Sequence, residues 1–215
     1  MVRPVSPWQV PGNRARQREL KRDAVIRAAA RAFRERGYHH TSLDDIAAVL
    51  HVTKPTLYYY VASKEEMLFE CFRAGLDRIA AACSQARSGT SSGRERLIEV
   101  VRSYVEAITS DFGWCMVRAE DQDLGPELGA RIRQLKSGID QEIRRLLRAG
   151  IGDGSIGDCD PKMAAFALAG ALNWIPHWYR DDATLSADAI ADRFIEIFVQ
   201  GLAPRPEGAS SGNVS

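Results

Sequence analysis

The chain has 215 residues, 45% of them hydrophobic and 27% charged, with a formal net charge of +1. That length allows one large or two small domains, and the composition is ordinary for a globular protein rather than a fibrous or disordered one. No run of about 18 apolar residues occurs, which argues against a membrane-spanning helix. Residues 1–12 lack an apolar core followed by a small-residue cleavage site, so no secretory signal is expected and a cytoplasmic location is the default. Cys71, Cys83, Cys115 and Cys159 stand at spacings that fit no zinc, redox or disulfide pattern. The small net charge hides an asymmetry. Residues 1–60 hold eleven Lys and Arg against five Asp and Glu, while the remainder holds 18 against 23. A basic N-terminal unit on an acidic body points to a polyanion met at one end only.

In chain order, residues 1–17 read as a flexible basic arm with three prolines. The run Arg14, Arg16, Arg18, Lys21 and Arg22 reads equally well as a solvated helix start or as an arm reaching DNA phosphates or the minor groove. A first helix carries Val25, Ile26, Ala29, Ala32 and Phe33 at helical spacing and ends at Gly37. Ser42, with Asp45 three residues on, opens a second helix with Leu43, Ile46, Ala47 and Leu50 inward. His51-Val52 makes a turn. Thr53 caps a third helix with Pro55 in its first turn, and Ser63 with Glu66 opens a long fourth helix to about Ala86.

Residues 88–93 form a Gly/Ser loop. Helical stripes follow from about Arg94 to Ile108, across Phe112 to Val117 after a break, and from Pro126 to Leu147. Asp160-Pro161 starts another helix, which Pro176 interrupts, and Ser186 caps the last one. The tail from Pro204 is rich in Pro, Gly and Ser. The fold class expected is all-α, about nine helices, with no strand signal.

The stretch from Ser42 to Tyr60 has the pattern of a helix-turn-helix: a short helix, a tight turn, then a helix with a polar, aromatic outer face. Leu57 points to the core, so Lys54, Thr56, Tyr58 and Tyr59 are left outside by the 3.6-residue period. Lys54 suits a phosphate or a guanine edge, Thr56 a base or thymine methyl, and the tyrosines phosphates. Ser42 and Lys64, each at a helix start, suit phosphates too. The bland alternative is a plain three-helix core with exposed tyrosines.

These residues carry a resemblance. Thr53 to Met67, together with Phe33, Gly37, Tyr38, Thr41, Ser42 and Asp45-Ile46-Ala47, resembles the signature of TetR/AcrR-type bacterial transcriptional regulators over residues 20–70. The departures are His51 and Pro55 in place of glycine or a small residue, and Val61 in place of phenylalanine. The resemblance implies an all-α homodimer on a palindromic double-stranded operator. DNA contacts carry over by position to Ser42, Thr53, Lys54, Thr56, Tyr58, Tyr59 and Lys64. It also implies a division into a helix-turn-helix domain (18–62) and a ligand-binding and dimerisation domain (63–203), beyond which the composition of residues 204–215 reads as a disordered tail.

The segment Trp174 to Arg180 is similar to the Trp-Tyr-Arg ending of the penultimate helix in acyl-CoA-responsive members. That implies a small apolar or acyl-CoA-type inducer that releases a repressor. Its tail would lie among Val101, Tyr104, Ile108, Phe112, Trp114, Met116 and Trp174, with its head near Arg118, His177 or Arg180. Each of these aromatics taken alone reads as core or interface filling. Gly170, Ala171, Ile190, Phe194, Ile197 and Gly201 could form a dimer face or pack within the chain.

Two other classes compete: an enzyme using the C-terminal pocket, and a ligand-independent architectural DNA binder. His39, His40, His51 and His177 have no carboxylate at ligand spacing, and no phosphate loop or nucleophile elbow occurs, so no metal, cofactor or catalytic residue is expected. Glu120, Asp121 and Asp123 could bind a cation, but read better as an acidic helix end.

Overall fold

The computed structural model describes residues 14–119, 123–180 and 185–200. Residues 1–13 of the arm, Glu120, Asp121, Gly201 and the tail lie outside the described residues. Ten helices run through the rest: α1 Arg14–Arg36, α2 Leu43–Leu50, α3 Lys54–Tyr58, α4 Lys64–Arg87, α5 Gly93–Thr109, α6 Gly113–Arg118, α7 Pro126–Gly152, α8 Pro161–Asn173, α9 Ile175–Trp178 and α10 Ala187–Gln200. No strand occurs among the described residues. The helix beyond the expected nine is α9, the four-residue stub set apart from α8 by the break that Pro176 imposes. α1 starts at Arg14, so Arg14, Arg16, Arg18, Lys21 and Arg22 lie on the helix rather than before it.

The helix ends follow from local chemistry. Ser42 and Asp45 exchange side-chain and backbone hydrogen bonds in a full capping box. At α4 the pattern shifts by one residue: Ser63 Oγ accepts from Glu66 N, but the Glu66 carboxylate reaches the N–H of Ala62 rather than of Ser63. Thr53 sits at the start of α3 with extended backbone, yet its hydroxyl pairs with Thr56 Oγ1 at 2.9 Å and caps no backbone group. Pro55 needs no such cap for its own nitrogen.

One core joins the two ends of the molecule. Val25, Ala29 and Phe33 of α1, Ile46 of α2 and Leu57 of α3 are buried against Met67, Leu68 and Phe72 of α4. α4 continues into the body, where it packs on α5, α6 and α7. Cys71, Cys83 and Cys115 are buried, free thiols inside these packings, and Cys159 is exposed. Cys71 also donates to the Ile26 carbonyl of α1 at 3.5 Å, and burial pushes its thiol pKa well up. No described helix is long and apolar enough to cross a membrane.

Candidate nucleic-acid interface and ligand cavity

The turn between α2 and α3 places α3 on the surface. His51 closes α2 in the left-handed region, at φ 55° and ψ 41°, with its N–H on the carbonyls of Ala47 and Ala48. That conformation is the one glycine adopts without cost, so a histidine here keeps the turn while carrying a side chain. α3 is then anchored from beneath by Leu57, which is fully buried, and followed by buried Val61. Its opposite side carries Lys54, Tyr58 and Tyr59, the tyrosines 51% and 64% exposed.

Neighbouring groups orient these side chains. Lys54 Nζ is held by Asp44 Oδ2 of α2 at 2.9 Å, and this hydrogen bond and charge raise its pKa. A phosphate would have to replace that exposed carboxylate. The Arg18 guanidinium lies 5.3 Å from the Tyr59 ring centroid, so the amino-terminal part of α1 borders the same surface. The Asp45 carboxyl is held below the usual range by its bonds to Ser42, with Arg36 at 2.9 Å adding to them. Lys64 behaves differently. Its ammonium lies 4.3 Å from the Tyr38 ring centroid, and burial lowers its pKa against the pull of Asp123. It therefore points to the α1–α2 corner, apart from the α3 group. Sequence reasoning missed Arg18, Arg36 and Asp44 as neighbours of this surface; only the basic run hinted at Arg18.

The body holds a cavity of about 660 Å³ between α4, α5, α6, α7 and α8. Leu76, Tyr104, Met116, Val117, Ile139, Ile143 and Ala165 contribute to its lining, with Lys136, Asp140 and Arg144 on the α7 side. Tyr104 donates its hydroxyl to Asn173 Oδ1 at 3.0 Å. Of the ligand-site residues expected from sequence, Tyr104 and Met116 line this cavity. Ile108 and Phe112 are instead buried at the α5–α6 corner. Trp114 and Arg118 line a separate cleft of about 280 Å³, shared with Tyr38, His39 and Asp123. Trp174 is 61% exposed and stacks on His177 at 4.2 Å between centroids. Arg180 is exposed beyond them. Leu76, Ile143 and Asn173 were not singled out, since apolar cavity walls share the helical period of the core.

Side-chain contacts also fasten the DNA-facing end and the start of α4 to the body. Arg31 Nε binds Asp111 Oδ2 at 2.7 Å, His39 Nε2 meets Asp123 Oδ1 at 2.9 Å, and Glu65 accepts from the N–H of Gly125. Asp123 is thus engaged in a contact between the two halves.

On the far side, α8 and α10 leave an apolar surface uncovered: Met163, Phe166, Trp174, Ile197, Phe198 and Val199 are all 40% exposed or more. Gly170 lies on it, with open space where a Cβ would stand. Ala171 and Phe194 are half-buried, and Ile190 is buried within the chain where α10 packs on α5.

Comparison with known proteins agrees with this layout. Residues 25–71 match the tetR family of bacterial regulatory proteins, and residues 90–202 match the tetracyclin repressor-like C-terminal domain. The HTH-type transcriptional repressor KstR2 of Rhodococcus jostii (strain RHA1) is 30% identical over 190 residues, spanning 85% of this chain and 91% of that protein. The HTH-type transcriptional activator FasR of Mycolicibacterium smegmatis is 24% identical and spans 91% of this chain and 88% of its own length. The crystal structure of AibR in complex with isovaleryl coenzyme A and operator DNA superposes with a TM-score of 0.72 at 27% identity, covering 83% of this chain and 98% of that one. With an exposed helix-turn-helix at one end, a helical body at the other and both halves matched, the chain belongs to the TetR family of transcriptional regulators.

Proposed function

We propose that this regulator binds a palindromic operator as a homodimer through α3 and is released from it by an apolar or acyl-CoA-type inducer. The observation that carries the reading is the double role of α4. Its first turn follows directly from the DNA-facing unit, and its middle supplies Leu76 to the cavity wall. A ligand that fills the cavity better in one position of α4 shifts the population toward that position, and only by its differential affinity. Paired half-sites about 34–36 Å apart then lose their match to the two α3 helices. An architectural binder would need no such cavity.

Ser42, Thr53, Lys54, Thr56, Tyr58 and Tyr59 form the DNA surface in this reading, and Lys64, turned to Tyr38, stands apart from it. The uncovered apolar faces of α8 and α10 form the dimer contact, through Gly170, Ala171 and Ile197, with Trp174 and Phe166 beside them. The relatives include one named a repressor and one named an activator. Release by ligand is the simpler device for a protein in which the helix carrying the DNA-binding unit supplies part of the cavity lining.

The test uses a duplex selected by the wild-type protein from a random DNA library, titrated by fluorescence anisotropy. Lys54→Ala and Tyr58→Phe should both weaken binding at unchanged melting temperature, and Lys54→Ala should reduce the salt slope by about 0.9 if it loses one phosphate contact. Wild-type affinity in both variants would sink the assignment of α3.

A further inference from the structure

Polar groups enter the cavity at two places. Lys136, Ser137, Asp140 and Arg144 belong to α7, where Arg144 is already tied to Asp140 at 2.6 Å. The other place is the pair of Tyr104 on α5 and Asn173 at the end of α8. Tyr104 is 7% exposed, and burial raises its pKa to about 12, so its hydroxyl is a neutral donor. That proton goes to Asn173 Oδ1. The Asn173 amide is then oriented, and its Nδ2 has no acceptor among the described residues. The nitrogen is not sealed off, since Asn173 lines the cavity and is half-buried. Beside the apolar wall of Leu76, Met116 and Ile143, an amide donor without a protein acceptor is available to an oxygen on a bound molecule.

We infer that Asn173 Nδ2 reads a carbonyl oxygen on the ligand, and that Tyr104 is a positioning residue that holds the amide with its N–H groups toward the cavity. The ligand class is an apolar chain interrupted by one carbonyl, as in an acyl thioester. This rests on the reading of the cavity as the inducer site. A purely apolar ligand of the same shape fills the space but leaves the amide unpaired.

The experiment compares decanoyl-coenzyme A with S-decyl coenzyme A, its thioether without the carbonyl, by isothermal titration of the full chain. Wild type should prefer the thioester by roughly fivefold, the size of one net neutral hydrogen bond. Asn173→Leu and the near-isosteric Asn173→Asp should bring the ratio to about one, and Tyr104→Phe should lower it while Asn173 remains. Equal affinity of wild type for both probes, or a preference that persists in both Asn173 variants, overturns the inference and leaves the cavity reading standing. Binding of neither probe overturns both.

Discussion

The DNA-facing end and the body use the apolar faces of their helices for opposite purposes. At the first, Leu57 and Val61 are sunk so that Lys54, Tyr58 and Tyr59 can stand out. Function there lies on the side that the apolar period leaves over. In the body, the functional candidates sit on the inner side, where Leu76, Met116 and Ile143 line a cavity instead of closing it. A surface site differs chemically from the core that supports it. A cavity site is made of core residues that fail to meet, so only its few polar members, such as Tyr104 and Asn173, mark it.

The largest expected effect tests whether the two regions fold as one. Leu57→Ala removes a fully buried side chain under α3 and should cost about 2–5 kcal/mol. If the regions are separable, operator binding is lost while ligand titration of the body survives, and thermal unfolding splits into two transitions. A single lowered transition for both would show that α4 makes them one cooperative unit. Gly75→Ala probes the body in the reverse sense. A Cβ there would lie 2.2 Å from Met116 Sδ, so Met116 must swing, and it lines the cavity. We expect a loss of about 1–3 kcal/mol, typical of overpacking, expressed in ligand affinity with operator binding in the absence of ligand intact. Calorimetry beside anisotropy separates the two; a loss of operator binding alone would refute the division.

This contrast also explains what could be read from the chain before its structure. Ser42, Pro55 and Ser63 mark helix starts by chemistry that acts within a few residues, so the starts of α2, α3 and α4 were legible to within a residue. The outward placement of Tyr58 and Tyr59 followed from the period of a helix anchored at Leu57. The body gave its helices by the same means but not its cavity. Trp114 and Trp174, expected beside the ligand tail from the resemblance around Trp174 to Arg180, lie in another cleft and on the surface. Which apolar side chains line a void depends on how α4, α7 and α8 are spaced, and no local pattern encodes that distance. The contacts between the halves, Arg31 with Asp111 and His39 with Asp123, are equally nonlocal.

A smaller effect should be seen at the junction of α1 and α4. Glu70 is 8% exposed, and burial works against its ionisation. Hydrogen bonds from Arg22 and Arg73 outweigh that and hold its pKa below the ordinary 4.5. A depressed carboxyl stabilises the fold fully above pH 4.5, and the contribution is lost as pH falls through the lower folded value. The arginines are 33% and 40% exposed, so screening limits the effect of Glu70→Gln at neutral pH to about 1–2 kcal/mol. Urea unfolding at pH 7 and below pH 4 should show a gap between wild type and variant that narrows with acid. A constant gap would assign the loss to packing.

The smallest effect is the most informative about the turn. An L-residue in the left-handed region costs about 1–2 kcal/mol, and glycine gives part of that back through its greater freedom in the unfolded chain. His51→Gly should therefore raise stability by about 0.5–1 kcal/mol, since His51 at φ 55° already has the glycine-like backbone. Operator affinity should stay within about twofold of wild type, because the turn that sets the angle of α3 is unchanged; a 1.4 kcal/mol change in binding would be tenfold. A stabilised variant with sharply weaker binding would mean that the exposed imidazole itself touches DNA. The histidine would then extend the reading surface beyond α3 into the turn, and the boundary between support and site would run through residue 51 rather than through Thr53.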